Sequence, residues 1–284
     1  MWNVITDTKE RGGALGHFNC AELSVWNAIV RAAQKMDMPV IIGLSESERE
    51  FFGLENAVAL VRALRARGVP IFLNADHTKS FKKIQEAVDA GFDMVIFDGS
   101  HLPLEDNIRE TKNIVRYVKT VRPQVFVEGE VGYIGEGSKM RTTIPKGIRK
   151  TTVVEAVRFV QETGIDMLAP AVGNIHGMIK SGEPQLDIKL IKKIKNGLRC
   201  ALGRDMFLVL HGASGNSDKD IRAAIKAGIS IVHISTEIRV AWRDALRITL
   251  HKNLDEIAPY SLLRSSEEAA YTTIKEKIRL CTRA

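Results

Sequence analysis

The chain has 284 residues; 45% are apolar and 26% are charged, and 41 Lys and Arg against 34 Asp and Glu give a net charge of +7. This is the composition of an ordinary soluble globular protein. The sequence contains no run of about 18 apolar residues, and its N-terminus has no apolar stretch, so it indicates neither a membrane span nor a secretory signal. We expect a cytoplasmic protein without a membrane partner.

The positions of the cysteines and of the basic residues argue against further classes of protein. Cys20, Cys200 and Cys281 are far apart and form no Cys-x-x-Cys motif, which argues against a disulfide framework and a cysteine zinc site. Lys and Arg are scattered and aromatic residues are scarce, so we expect no nucleic-acid partner. The positive charge instead suits a small anionic substrate.

The order of predicted elements indicates the fold. Eight short apolar runs bounded by turn residues predict β-strands at 14–18, 39–44, 70–73, 94–97, 125–127, 167–169, 206–210 and 229–234. Amphipathic patterns between them predict helices at 23–36, 54–67, 81–90, 108–120, 153–163, 189–196 and 218–227. The alternation predicts an α/β fold with a parallel sheet, and eight units favour a single (β/α)8 TIM barrel domain over residues 1–284. An open doubly wound sheet is the alternative, but Gly-x-Gly-x-x-Gly does not follow the first strand.

Two segments lie outside this repeat. Residues 131–150 form a long, glycine-bearing and basic connection, which predicts a lid over an active site. Residues 251–284 contain no further strand and predict a helical C-terminal extension.

Polar side chains follow several predicted strands, at the end of the barrel where this fold builds its sites. They include Asp76 and His77, Glu130, His176 and His211. Three imidazoles and a carboxylate from different strands suit a divalent transition metal, and zinc is the first choice. Any one histidine alone would be interpreted as a packed residue, but their joint placement favours a metal site. Because neighbours on a strand point to opposite sides, we expect Asp76 and His77 to lie on the turn beyond the regular pleat.

Glycines and hydroxyl groups crowd the same end of the barrel. Free backbone N–H groups there could hold a phosphate, and the loops after the last two strands are the usual phosphate site of this fold. Tight turns without a ligand are the alternative explanation. The residues concerned are Gly173, Gly177, Gly182, Gly212, Gly215, Lys180, Ser214, Ser235 and Thr236. A metal beside a phosphate cradle suggests carbonyl chemistry on a phosphorylated sugar.

Six motifs in order carry a family resemblance across residues 14 to about 245. They are Asp76-His77, Asp98-Gly-Ser-His101, Glu128-Gly-Glu-Val-Gly132, His176-Gly177, His211-Gly-Ala-Ser-Gly215 and Thr236-Glu-Ile-Arg239. In this arrangement the sequence resembles the class II, metal-dependent fructose/tagatose-bisphosphate aldolases.

The resemblance implies specific roles. It implies a zinc ion held by His77, His176 and His211, with Glu130 as a nearby or alternate ligand. Asp76 would take the proton from the C4 hydroxyl in the cleavage direction, with the metal as Lewis acid. It further implies a monovalent cation, Na⁺ or K⁺, and assembly as a homodimer or homotetramer. Phosphate contacts carry over to Gly177, Lys180, Gly212, Ser214 and Thr236.

Four further residues receive roles from the same resemblance. Ser45 and Asn19 follow the second and first strands, and Ser45 matches a family position near the bound sugar. Members of the family carry an acid in this lid that exchanges the C3 proton. The nearest lid acid in this chain is Glu136, although its spacing from Glu130 differs from that in the family. Arg239 is either a contact to a second phosphate or a surface arginine at a helix start.

The chain departs from the family after its last strand. Where many members have Asn-x-Asp/Asn-Thr, this sequence has His233-Ile-Ser235-Thr236. His233 is a substrate donor, a further imidazole near the metal, or a packed strand residue, and we leave it out of the metal ligands. Ser235 replaces a group that addresses sugar hydroxyls. The expected substrate is fructose 1,6-bisphosphate, with tagatose 1,6-bisphosphate or another phosphorylated ketose as alternatives. A metal-dependent hydrolase and a non-catalytic metal-binding barrel are the more remote alternatives.

Overall fold

The computed structural model describes residues 1–180, 182 and 184–282, and its centre is a closed barrel of eight parallel strands. The strands, in chain order, are β1 (Leu15–Asn19), β2 (Val40–Leu44), β3 (Ile71–Thr78), β4 (Met94–Phe97), β5 (Phe126–Val131), β6 (Met140–Arg141), β7 (Met167–Pro170), β8 (Met178–Ile179), β9 (Phe207–Leu210) and β10 (Ile229–Ile234). Around the barrel the order is β1-β10-β9-β7-β5-β4-β3-β2. The predicted TIM barrel is confirmed. The two-residue strands β6 and β8 pair with each other outside it.

Helices alternate with the barrel strands as predicted. They are α1 (Trp2–Glu10), α2 (Leu23–Met36), α3 (Glu46–Phe52), α4 (Leu54–Ala66), α5 (Phe81–Ala90), α6 (Leu104–Val121), α7 (Val153–Thr163), α8 (Ile188–Leu202), α9 (Asp218–Ala227), α10 (Thr236–Lys252), α11 (Pro259–Leu262) and α12 (Arg264–Thr282). The predicted helix ranges did not include α1, α3 or α10. No helix in the described part of the chain is long and apolar enough to cross a membrane.

Apolar side chains form two separate layers. A large cluster fills the space between the strands and the surrounding helices. A smaller cluster lies inside the barrel and includes Leu15, Ile41 and Ile231, with Ile5 of α1 packed against it. Trp2 of the same helix contacts the Phe207 ring at a centroid distance of 4.5 Å. Helix α1 therefore caps the amino-terminal end of the barrel, which leaves the opposite end for a site.

The C-terminal helices complete the outer ring. Helix α12 packs against α2 and α10 and reaches β1, where the Ala14 N–H donates to the Cys281 carbonyl at 2.9 Å. The helical extension predicted for this region is confirmed, because α11 and α12 follow the last helix of the barrel repeat.

The long connection after β5 is held at its base and along its length. Tyr133 and Arg149 form an isolated antiparallel bridge across its base. Further along, β6 pairs with β8, in the loop after β7. The segment thus crosses the carboxyl ends of the strands in a defined position.

Candidate active site

A cavity of about 430 Å³ opens at the carboxyl ends of the barrel strands. Most of the residues predicted for the site line it: Ser45, Asp76, His77, Glu136, His176, Gly177, His211, Gly212, Ser214, Ser235, Thr236 and Arg239. Glu130 is buried beside two of the histidines rather than in the wall. Lys180 instead lines a separate groove with lid residues such as Lys139 and Lys146.

The four predicted metal ligands converge on one point. His77, Glu130, His176 and His211 each offer a ligand atom, and these atoms lie within 4.8 Å of one another. They come from β3, β5, the loop after β7 and the residue that follows β9. Because parallel strands end at the same edge of a barrel, residues far apart in sequence meet here.

The orphaned atoms of this cluster fit a metal ion. His211 Nδ1 and Glu130 Oε2 are buried and 3.4 Å apart, and neither has a hydrogen-bond partner in the part of the chain that the structure describes. Buried polar atoms without partners are costly unless a ligand satisfies them. Three imidazoles and one carboxylate form a donor set of the kind that holds zinc.

Two further carboxylates orient the imidazoles, and the sequence analysis assigned neither a role. His77 Nδ1 pairs with Asp98 at 3.0 Å, and His211 Nε2 pairs with buried Glu128 at 2.8 Å. Carboxylates in these positions fix the tautomer and ring orientation of metal-binding histidines. A signal was present, since Asp98 and Glu128 each come directly after a predicted strand.

The carboxylates also favour positive charge in the cluster. Burial alone would lower the pKa of His77, but the Asp76 carboxylate and the Asp98 hydrogen bond raise it to about 9. Burial likewise opposes the pKa rise of His211, which nearby Glu130 and Glu128 bring about. A site that stabilises cationic imidazoles against burial also stabilises a bound cation.

The local path of β3 corrects one expectation. Asp76 and His77 lie within the strand, not on a turn beyond it, because β3 continues to Thr78. The register to β4 shifts between Ala75 and Thr78, and His77 has a left-handed φ of 41°. This bulge breaks the side-chain alternation of a regular strand, so both neighbouring side chains can face the cavity.

A buried arginine supports the same bulge. Arg49 of α3 is 4% exposed and donates to the Leu44 carbonyl at 2.7 Å, to the Asp76 carbonyl at 3.2 Å and to Thr78 Oγ1 at 3.0 Å. Its guanidinium therefore ties the end of β2 to the irregular end of β3. Three fixed contacts suit the planar, forked guanidinium.

Asp76 is held as a carboxylate beside the metal cluster. Asn19 donates to its Oδ2 at 2.8 Å, while its Oδ1 is buried without a partner among the described residues. Burial opposes ionisation, but the imidazoles of His77 and His17 and the Asn19 hydrogen bond hold the pKa of Asp76 below its ordinary value. The side chain therefore presents one charged, unpartnered oxygen.

Glycine is required where the predicted phosphate cradle approaches other backbone. A Cβ at Gly212 would lie 2.1 Å from the Ile175 carbonyl oxygen, and one at Gly177 would lie 2.2 Å from the Lys139 carbonyl oxygen. Ser214 Oγ accepts from the Ser235 N–H at 3.3 Å, next to the start of α10. The N–H groups at a helix start attract anions.

His233 faces the cavity, and the sequence did not reveal its surroundings. Its ring lies parallel to that of His17, with centroids 3.5 Å apart, and its centroid is 4.4 Å from that of His211. Both ring nitrogens lack hydrogen-bond partners among residues 1–180, 182 and 184–282, although Nδ1 is 3.7 Å from Asp76 Oδ1. This geometry favours a group available to a substrate or to the metal over a packed strand residue.

The pocket mouth carries two ion pairs. Lys79 donates to lid residue Glu136 at 2.9 Å, and Arg239 donates to Glu48. Glu48 is 5% exposed and was not identified from the sequence. Its signal was the spacing Ser45-x-x-Glu48, which matches the capping box that begins α3.

Comparisons with known proteins agree with this geometry. The family model described as fructose-bisphosphate aldolase class-II matches residues 1–284. A fructose-bisphosphate aldolase of Staphylococcus aureus is 36% identical, covering 98% of this chain and 95% of the relative. A 6-phospho-5-dehydro-2-deoxy-D-gluconate aldolase of Bacillus subtilis is 37% identical, covering 98% and 93%.

Solved structures show the same architecture. The YdjI aldolase of Escherichia coli K12 superposes with a TM-score of 0.81 at 29% identity, covering 98% of this chain and 95% of that one. The relatives are aldolases, so the hydrolase alternative has no support from them. The full-length family match and the metal-ligand cluster agree with each other. The chain belongs to the class II fructose-bisphosphate aldolases, a family of metal-dependent lyases.

Proposed function

We propose that this chain catalyses the reversible cleavage of fructose 1,6-bisphosphate into dihydroxyacetone phosphate and glyceraldehyde 3-phosphate. One observation carries the proposal: the three histidines of the His77, Glu130, His176 and His211 cluster share a cavity with Asp76, whose Oδ1 has no hydrogen-bond partner among the described residues. This arrangement separates metal binding from proton transfer, as carbon–carbon bond cleavage next to a carbonyl requires.

The metal we propose is zinc, held by His77, His176 and His211, with Glu130 as a nearby or alternate ligand. The nitrogen-rich donor set supports zinc over magnesium or calcium, which prefer oxygen ligands. Bound here, zinc would act as a Lewis acid toward the ketose carbonyl. On the family resemblance we also propose a monovalent cation, Na⁺ or K⁺, near the phosphate.

Asp76 is the proposed base for the C4 hydroxyl. Its Oδ1 is unpartnered among the described residues and its Oδ2 is held by Asn19, so one oxygen can accept a proton while the other fixes the group. Burial would favour the neutral acid, but the nearby imidazoles and the Asn19 hydrogen bond hold the pKa of Asp76 below its ordinary value, so the group is a carboxylate, the form that a base requires. The geometry of the bulge in β3 supports this role, since it turns Asp76 into the cavity.

We assign the substrate phosphate to the glycine-lined side of the cavity. Gly177, Gly212, Ser214, Ser235 and Thr236 line this side, with the start of α10 behind them. Ser45 and Arg239 also line the cavity and are proposed to contact the sugar and a second phosphate. We also propose Lys180 as a phosphate contact. It lines the lid groove, which would supply additional positive charge.

Glu136 is proposed to exchange the C3 proton of dihydroxyacetone phosphate. It lies on the lid, lines the cavity and pairs with Lys79. We expect Glu136→Gln to lower the rate of tritium exchange at C3 about 100-fold, the scale of a general base, while the bound metal is retained. Glu162→Gln, on the surface of α7, serves as the control. Unchanged exchange in Glu136→Gln would show that another group exchanges the C3 proton.

Another phosphorylated ketose is the second candidate substrate. His233 and Ser235 line the cavity where related enzymes have an amide and an amide or carboxylate. The Bacillus subtilis relative, named for a deoxygluconate phosphate, is as similar to this chain as the fructose-bisphosphate aldolase relative is. Tagatose 1,6-bisphosphate, an epimer at C4, belongs to the same group of alternatives.

A coupled cleavage assay tests the proposal. We expect the purified protein to cleave fructose 1,6-bisphosphate, to lose more than about 99% of its activity after chelation, and to regain it with zinc, because the Lewis acid is then restored. Tagatose 1,6-bisphosphate is run in parallel to rank the two sugars. Zinc binding without cleavage of either sugar would contradict the proposed substrate and direct attention to His233 and Ser235.

We also propose a homodimer or homotetramer that acts in the cytoplasm. Exposed apolar side chains near the end of α10 and on α11 support an oligomer: Ile248 and Leu250, Leu254, Ile257 and Tyr260. Such surfaces commonly mark protein interfaces. The three cysteines are free thiols, which agrees with a reducing compartment.

A further inference from the structure

A buried glutamate outside the proposed reaction connects the pocket mouth to Asp76. Glu48 is the third residue of α3, is 5% exposed, and lines the cavity. Its Oε2 accepts from the Ser45 N–H at 2.7 Å and from Asn19 Nδ2 at 3.0 Å. Its Oε1 accepts from Arg239. Both carboxylate oxygens are therefore in use.

Asn19 links this carboxylate to Asp76. The two hydrogens of its Nδ2 amide are divided between Glu48 Oε2 and Asp76 Oδ2, at 3.0 Å and 2.8 Å. With an acceptor on each hydrogen, the amide cannot rotate without losing one of two charge-assisted hydrogen bonds. Because the amide is fixed, Asp76 Oδ2 is fixed, and its Oδ1 remains directed to the cavity.

Capping alone does not account for Glu48. A capping box needs one side-chain acceptor for the N–H of Ser45, and glutamine serves as well as glutamate. Here the carboxylate is buried against a second element, β1, and accepts from an arginine of a third element, α10. These additional contacts converge on the residue that handles the proton.

We propose that Glu48 is a positioning residue, which holds Asn19 and thereby sets the rotation of the Asp76 carboxylate toward the substrate hydroxyl. This inference rests on the proposed function, in which Asp76 acts on the C4 hydroxyl. Small errors in the placement of a reacting group reduce rates strongly, by about 100-fold for a displacement of about 1 Å. Glu48 itself does not touch the reacting atoms.

Two substitutions separate this role from simple structural support. Glu48→Ala removes all the contacts. Glu48→Gln keeps one oxygen, which can still accept from both Ser45 and Asn19, but it loses the ion pair with Arg239, because the glutamine NH2 is a donor. We expect Glu48→Ala to lower kcat for cleavage about 10- to 100-fold and also to raise KM for the ketose, because Glu48 holds Ser45 and Arg239, two proposed substrate contacts. Glu48→Gln should recover kcat to within about threefold of the wild type.

Tritium exchange at C3 of dihydroxyacetone phosphate distinguishes a positioning role from a general structural defect, which would lower exchange and cleavage together. Tritium exchange at C3 of dihydroxyacetone phosphate does not use Asp76, so Glu48→Ala should retain it within about twofold, together with bound zinc. Glu50→Ala, at an exposed position of the same helix, is the matched control. Equal losses of exchange and cleavage in Glu48→Ala, or a Glu48→Gln variant as slow as Glu48→Ala, would overturn the proposal.

A wrong substrate assignment can be distinguished from a wrong role for Glu48. If the wild-type protein does not cleave the ketose, the proposed function is contradicted. The role of Glu48 is then tested by crystal structures of the same variants. There the proposal requires a rotated Asp76 carboxylate in Glu48→Ala and an unrotated one in Glu48→Gln. The same carboxylate orientation in wild type and Glu48→Ala would overturn it.

Discussion

Replacing Asp76 with asparagine is expected to lower kcat/KM for ketose cleavage about 1,000-fold, within the range that general acid–base groups contribute. Asparagine has nearly the same shape, so the cavity and the bulge in β3 remain. It has no charge and accepts a proton poorly, so the C4 hydroxyl loses its base. The coupled cleavage assay measures the change, and metal analysis checks that zinc is retained.

The partial reaction makes this test specific. Because Asp76 does not act at C3, exchange of the C3 proton of dihydroxyacetone phosphate should persist in Asp76→Asn. Asp106→Asn, on α6 and outside the cavity, should cleave the ketose like the wild type. If Asp76→Asn cleaved at the wild-type rate, another residue would be the base. If the wild type itself carried out no chemistry on any ketose phosphate, the non-catalytic metal-binding barrel would gain support.

Gly43→Ala is expected to destabilise the fold by about 2–3 kcal/mol, the cost of forcing atoms into a filled core. A Cβ at Gly43 would lie 2.0 Å from His17 Cε1 and 2.3 Å from its Nε2. The His17 imidazole is fully buried, receives a hydrogen bond from Asn74 at 3.0 Å and stacks against His233. It cannot move away without losing these contacts. Urea denaturation of the two proteins measures the difference.

A double-mutant cycle identifies the cause. In a His17→Ala background the ring that meets the new methyl group is gone, so Gly43→Ala should cost less than about 1 kcal/mol. The backbone of Gly43 is not in the left-handed region, so alanine itself fits there. An equal cost in both backgrounds would show that the conflict lies elsewhere than between Gly43 and His17.

Much of the barrel and its metal cluster followed from sequence. Eight apolar runs with helical patterns between them carry local information about each element, and β4 and β10 begin and end at the predicted residues. The proposed metal ligands were also recognisable as a group, because three histidines and Glu130 follow predicted strands. In a parallel barrel, the strand ends meet at one mouth, so position in the sequence implied proximity in space.

Other features had weak local signals or signals that were not recognised. The extension of β3 to Thr78 is polar and carries a bulge, so the alternation expected of a strand is missing. Helix α3 is only seven residues long, too short for a clear amphipathic period. The amphipathic period of α1 was also not recognised, and its Ile5 contacts barrel residues from much later in the chain.

The sequence by itself determined the fold class and, through the resemblance of its motifs, the family and the proposed donor set for a metal, because these depend on residue types at the ends of regularly spaced elements. Only the tertiary structure decided which groups hold those residues in place. Glu128 against His211, His17 against His233, and Glu48 through Asn19 against Asp76 are pairs from distant strands and helices. Their partnership depends on strand register and barrel closure, which no short stretch of sequence encodes.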